Sequence, residues 1–140
     1  ISLMIDKDWK KLWSIRNENV LDDAETLRMD SDKRIYELGK KPTTLNEVEG
    51  QYTGLIKIKN TKIKELLEFY DNLDKFSDYD GQHFNNMYMT TFIQKLIDVG
   101  WDVRATIVNN GWLEVDTVQD LVVYEREKEL GQLDRLWNAN

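Results

Sequence analysis

Residues 101–121 read WDVRATIVNNGWLEVDTVQDL, and their pattern decides the fold class. The first eight residues alternate and predict a strand. "NNG" at 109–111 is a hairpin-type turn. "WLEVD" then reads as the returning strand, and a helix is predicted from Val118 to about Leu130. Side chains alternate along a strand, so Trp112, Glu114 and Asp116 share one face, with the two carboxylates roughly 7 Å apart. Like charges at that spacing repel and resist burial. Either that face is wet, or something positive sits between them.

Outward from this stretch, the period changes twice. Met89, Phe92, Ile93, Leu96 and Ile97 form a helical stripe stopped by Gly100. Ile63, Leu66, Leu67 and Tyr70 form another. "QYTGLIKIKN" alternates, and Gly54 permits a bulge or a close approach. "AETLRMD" and "RIYELGK" flank the turn "DSDK" as a hairpin, whereas "KKPTTLNEVEG", with the only Pro, reads as a loop. "DKDWKKLW" reads as a short helical turn with Trp9 and Trp13 on one side. Strands thus alternate with helices, and the class is α/β or α+β with one mixed sheet. That sheet is expected to hold residues 1–5, 51–58, 101–108 and 112–115. Helices around 63–70, 87–99 and 118–130 are expected to pack their stripes on it.

Composition narrows function. The 140 residues suit one domain. With 19 basic and 26 acidic side chains, the net charge of −7 argues against nucleic-acid and anionic-membrane binding. No apolar run approaches the roughly 20 residues of a membrane span. With no cysteine and one His there is no disulfide framework, thiolate chemistry or multi-His metal site, and a cytoplasmic setting fits. The opening "ISLMID" is an apolar, strand-like run without initiator Met or signal-peptide organisation, and it reads as the continuation of a longer chain. An exposed sheet edge or face is therefore expected near Ile1, open or covered by a neighbouring chain, which allows a homo-oligomer.

Two readings compete for "EVDTVQD". Asp116 or Thr117 can cap the following helix, with Gln119 or Asp120 reaching back. Alternatively, Glu114 and Asp116 hold a hard cation such as Mg²⁺, which takes oxygen ligands and keeps substrate phosphates in its shell. Capping is the commoner use of such residues. The Trp and Tyr residues are mostly core material, although some could box a quaternary ammonium. Lys40-Lys41 could meet phosphate, and His83 reads as plain surface. No G-x-S-x-G element, P-loop or Cys/His constellation is present.

"RIYELGKK", "VEGQYTGLIKI", "MYMTTFIQKLIDVGWDVRATIV" and "GWLEVDTVQDLVVYE" stand in the order seen in the nucleotidyltransferases that activate small phosphorylated molecules. The chain most resembles the phosphocholine and aminoethylphosphonate cytidylyltransferases, beside the sugar-phosphate nucleotidyltransferases, over most of residues 1–127. The resemblance implies a mixed, Rossmann-like α/β sheet on which a nucleoside triphosphate, CTP foremost, meets a phosphorylated acceptor with Mg²⁺ as cofactor. It implies metal binding by Asp116, supported by Glu114, and a catalytic role for Lys40 at the acceptor's phosphate. Gly54 would let the acceptor approach the backbone, and Tyr52 and Trp112 would line the substrate site. For a choline-type acceptor, Trp9, Trp13 and Tyr52 are the candidate aromatic box. The Gly-rich loop, the Pro-Lys after it and the first metal-binding Asp of the family are missing, so the resemblance is to the C-terminal, acceptor-binding half. Gln51 and Thr91 depart from the Glu and Asp that relatives often carry there. The alternative is a non-catalytic ligand-binding or regulatory domain retaining this fold.

Overall fold

A computed structural model describes residues 1–137. The chain runs β1 (Ser2–Asp6), α1 (Trp9–Arg16), β2 (Leu27–Met29), β3 (Ile35–Leu38), β4 (Gln51–Lys57) and α2 (Ile63–Asp71). It continues through β5 (Asp78–Tyr79), β6 (Gln82–His83), α3 (Met89–Asp98), β7 (Arg104–Val108) and α4 (Val118–Glu129). The sheet order is β4-β1-β7, with β4 antiparallel and β7 parallel to β1. The expected mixed sheet is therefore present, with the expected hairpin β2-β3 beside it. The hairpin attaches to β7 through Ile35 N–H to the Val103 carbonyl (2.8 Å) and Ala105 N–H to the Lys33 carbonyl (2.9 Å).

Strand alternation explains the main core. Leu3 and Ile5 point to one side of β1 and are fully buried with Leu27, Ile35, Leu38, Ile93 and Val103. The opposite face is open: Ser2, Met4, Leu55 and Thr106 line a shallow hollow there, and Leu55 is 60% exposed. An exposed face was expected, but the position of the first strand was not: β1 is central, and β4 and β7 take the edges. Gly54 lies where the β1-β4 register shifts between Leu3↔Ile56 and Ile5↔Tyr52, and its φ of +85° is that of a bulge glycine.

Three expectations are corrected. Residues 112–115 form no strand. Asn110 and Gly111 do turn with positive φ, but the Gly111 N–H goes to the Leu136 carbonyl and leads the chain away from the sheet. Trp112 and Leu113 pack instead on a second core of Trp9, Leu12, Trp13, Ala24, Val48, Tyr124 and Leu136. Secondly, α4 packs on α1 rather than on the sheet. Thirdly, α2 has no buried residue and meets α3 through aromatic pairs such as Phe69–Phe92 (6.0 Å between centroids). Of the three helices it is α3 that packs on strand residues, through β3 and the Ile93 core. Among the described residues, no helix is long and apolar enough to cross a membrane.

Gly39 joins the hairpin to α3. Its φ is +84°, and a Cβ there would stand 2.7 Å from the Thr90 Cβ, whereas a Cβ on Gly54 would meet nothing within 4 Å. Gly54→Ala should therefore cost about 1 kcal/mol from φ strain alone. Gly39→Ala should cost roughly 2–3 kcal/mol, because overpacking adds to the strain. Urea unfolding of both variants checks this; equal losses would mean that α3 yields freely at Thr90.

Candidate functional site

The charge between Glu114 and Asp116 is Arg16. It is the last residue of α1, and its side chain is only 4% exposed. Its Nη1 donates to Glu114 Oε2 (2.7 Å), Nη2 to Asp116 Oδ2 (2.6 Å) and Nε to Asp120 Oδ1 (2.8 Å). The planar fork of guanidinium donors suits such divergent carboxylates, where a Lys would offer one point charge. The guanidinium also lies 5.5 Å from the Trp13 ring centroid.

The helix cap is built into the same cluster. Thr117 is the N-cap of α4, and its Oγ1 accepts the Asp120 N–H (3.2 Å). Asp120 Oδ2 in return accepts the N–H groups of Thr117 (2.8 Å) and Asp116 (3.1 Å). Capping therefore belongs to Thr117 and Asp120, and the Asp116 side chain is not the cap. Tyr124 Oη donates to the Glu114 carbonyl (2.7 Å), which fixes the segment from the α4 side.

Burial and charge then separate Asp120 from Glu114. Arg16, followed by the Thr117 and Asp116 donors, holds the Asp120 carboxyl far below the usual carboxylate range. The Glu114 carboxyl is raised, first by burial and further by the Asp116 charge, against the pull of Arg16. Burial works against the charge of Arg16 itself, but its hydrogen bonds to Asp120, Glu114 and Asp116 together push its pKa up. Burial also pushes the Tyr124 hydroxyl up to about 12.

Two hollows adjoin at this surface. The larger, about 470 Å³, is lined by Asp22, Asp23, Glu25, Lys40, Asp80 and Thr91 among others. The smaller, about 210 Å³, is lined by Trp13, Asp23, Glu25, Gln51, Tyr52, Glu114 and Asp116. Asp23 and Glu25 belong to both and form the shared wall. The structure thus gathers Lys40, Tyr52, Glu114 and Asp116 on one side of the molecule. The Lys40 Nζ is 3.5 Å from Glu37 Oε2 and is largely exposed.

Two expected site residues lie apart. Gly54 lines neither hollow and occupies its bulge in β4. Trp112 donates its indole N–H to Asp6 Oδ2 (3.0 Å) and packs at a tilt against Trp13 (6.1 Å between centroids), so it supports the site without lining it. The proposed aromatic box is also corrected: Trp9 and Trp13 are 1% and 4% exposed and belong to the core. Sequence reasoning missed Arg16, Asp23 and Glu25. The only signal for Arg16 was its place as the basic residue that ends the helix WKKLWSIR.

As for Mg²⁺, the donors present fit it in part. Among the described residues no group of three or more His, Asp or Glu side chains is arranged to hold a metal. Asp116, however, offers a hard carboxylate that is 58% exposed, and only its Oδ2 is engaged by Arg16. Mg²⁺ characteristically binds through one or two carboxylates with the remaining ligands from phosphates and water.

A CTP:phosphoglutamine cytidylyltransferase of Campylobacter jejuni subsp. jejuni serotype O:2 is 43% identical to this chain over 123 residues. The match takes in 88% of the chain and 48% of the relative, so the chain spans about half the length of the curated relative it matches. No family model matches, and no solved structure does.

Arg16→Met leaves three carboxylates facing one another and should cost about 3 kcal/mol at pH 7, as loss of one partner of a buried pair does. The lowered Asp120 carboxyl contributes stability above its ordinary value near ~3.9 and loses it as pH falls toward the folded value. The raised Glu114 carboxyl has the opposite sign: its contribution is lost as pH rises through its folded pKa. In the Arg16→Met variant the unpaired carboxylates repel one another, so its cost should shrink between pH 7 and about pH 4 as they protonate. Urea unfolding at both pH values measures it, and a pH-independent loss would reduce Arg16 to a packing residue.

Proposed function

We propose that this chain belongs to the cytidylyltransferase family, on its 43% identity to one such enzyme, and forms the acceptor-binding part of an enzyme that transfers CMP from CTP to a small phosphorylated acceptor. The observation that carries this reading is the gathering of Lys40, Tyr52, Glu114 and the exposed Asp116 around adjoining hollows. In a complete enzyme the sheet β4-β1-β7 would be part of a larger, Rossmann-like one. A cytoplasmic setting fits the chemistry. The name of the relative suggests a phosphorylated amino acid, phosphoglutamine, as acceptor class. The burial of Trp9 and Trp13 weighs against choline phosphate, which would call for an open aromatic box.

In this reading the acceptor's phosphate oxygen attacks the α-phosphorus of CTP and pyrophosphate leaves. Such chemistry rests on positioning and on neutralising oxygen charge, without a protein nucleophile. Lys40 would neutralise and orient the acceptor phosphate. Asp116 would hold Mg²⁺, which when bound screens the phosphate charges. Arg16 fixes the Asp116 carboxylate through one oxygen, and the other would be available to the ion. Glu114 is held beside it by the same guanidinium and adds negative charge. One guanidinium against three carboxylates leaves the cluster net negative, which favours a cation there.

The test is pyrophosphate release by the full reading frame with CTP, UTP or dTTP, Mg²⁺ and phosphorylated acceptors. CTP should be preferred. Asp116→Asn should lower kcat by roughly 100-fold or more, with little change in Tm because Thr117 holds the cap. Near-normal turnover would leave Asp116 only its role in orienting Arg16. Nucleotide binding without transfer to any acceptor would favour the non-catalytic domain. Lys40→Ala should raise the acceptor KM and lower kcat, since the charge it neutralises is on the attacking group.

A further inference from the structure

The larger hollow holds free charges of both signs. Lys41 is committed, its Nζ donating to the carbonyls of Leu21 (2.7 Å) and Asp22 (2.5 Å). Asp80 is committed too, accepting from Thr91 Oγ1 (2.7 Å). Lys40 has only the long contact to Glu37. Asp23 forms no hydrogen bond or ion pair through its side chain among the described residues.

Glu25 is placed more deliberately than an ordinary surface acid. Gln51, 4% exposed, clasps its backbone from both sides. Gln51 Nε2 donates to the Glu25 carbonyl (2.7 Å), and Gln51 Oε1 accepts the Glu25 N–H (3.3 Å). From α3, Thr90 Oγ1 donates to Glu25 Oε1 (3.2 Å), which leaves Oε2 unengaged. Gln51 of β4 fixes the Glu25 backbone and Thr90 of α3 its carboxylate, in the wall between the hollows. The buried Gln51 amide is itself satisfied by these bonds, so the open acceptor at the wall is Glu25 Oε2. Burial raises the Glu25 carboxyl, and the charges of Asp23 and Glu114 raise it further against the Thr90 bond, so a cation placed here would be drawn to it. Behind the same wall, Trp13 Nε1 is buried and has no hydrogen-bond partner, an unspent donor beside the smaller hollow.

We propose that Glu25, aimed by Gln51 and Thr90, is a specificity-determining residue that binds the ammonium group of a zwitterionic acceptor whose anionic group meets Lys40. Asp23 adds negative charge on the same side, and the Tyr52 ring offers a face that also favours a cation. A sugar phosphate offers hydroxyl donors to Glu25 but no cation to neutralise its charge. The inference deepens the acceptor class proposed above and rests on that reading for the identity of the ligand.

Binding is measured directly, so that its outcome is independent of turnover. Calorimetry of the full reading frame uses phosphorylated glutamine and the same compound lacking the α-amino group. The wild type should prefer the amino compound. Glu25→Gln keeps the backbone clasp and an oxygen for Thr90, and it should weaken the amino compound by about tenfold while leaving the des-amino compound unchanged. Thr90→Val, which frees the carboxylate without removing it, should give a smaller loss of the same selectivity. Equal binding of the two compounds by the wild type overturns the proposal, as does a Glu25→Gln variant that keeps the full preference. If the amino compound binds selectively through Glu25 but no CMP is transferred, the enzymatic reading falls and the assignment of Glu25 stands.

Discussion

One guanidinium holds the far ends of this chain together. Arg16 closes α1, and its three carboxylate partners lie about a hundred positions later, in the segment leading into α4 and in its first turn. Taking any charge out of water is expensive, so the arrangement persists only because each donor of the fork meets an acid. Asp120 meets two needs at once, since the oxygens that pair with Arg16 also accept the orphan N–H groups at the start of α4. The capping box and the ion cluster are one structure. That coupling fixes where Asp116 and Glu114 stand relative to the hollows.

A second buried acid does the same for the other side of α1. Asp6, fully buried at the end of β1, accepts from the Asp8 N–H (2.8 Å), the Asn110 N–H (2.9 Å) and the Trp112 indole (3.0 Å). It therefore ties the central strand to the entry of α1 and to the turn after β7. Three donors on one carboxylate satisfy it without a counter-ion. Gln51 plays the neutral counterpart at the start of β4. These polar ties, more than the apolar contacts, set the relative placement of sheet, α1 and the 110–120 segment, because hydrophobic burial is non-directional whereas hydrogen bonds fix angle and distance.

The two positions that depart from the family pattern acquire physical roles. Gln51, in place of the acid often found there, sits almost wholly buried against the Glu25 backbone, where a carboxylate would lack the donor that Nε2 supplies. Thr91 is buried and holds Asp80, a residue at φ +55° whose unusual backbone is thereby steadied. Thr91 lines the larger hollow and Gln51 the smaller, and neither bonds to the Arg16 cluster.

Local periodicity was enough to find α2, α3, α4, the hairpin and the strands at the centre of the fold, because each depends mainly on its own spacing of apolar residues. The 112–115 segment shows where that reasoning stops. Its alternation is real, but Trp112 and Leu113 satisfy it against Trp13 and Tyr124 rather than in a ladder, since a strand exists only if a neighbour offers its backbone. The carboxylates Glu114 and Asp116, and Lys40, were legible as candidates from residue type and from the family resemblance. Their arrangement was not. Arg16, Asp23 and Glu25 carry no local pattern that marks them, and only tertiary contact brings them beside residues distant in sequence. The sequence by itself posed the charge problem at Glu114 and Asp116; which cation lay between them was decided by the packing of α1 against α4.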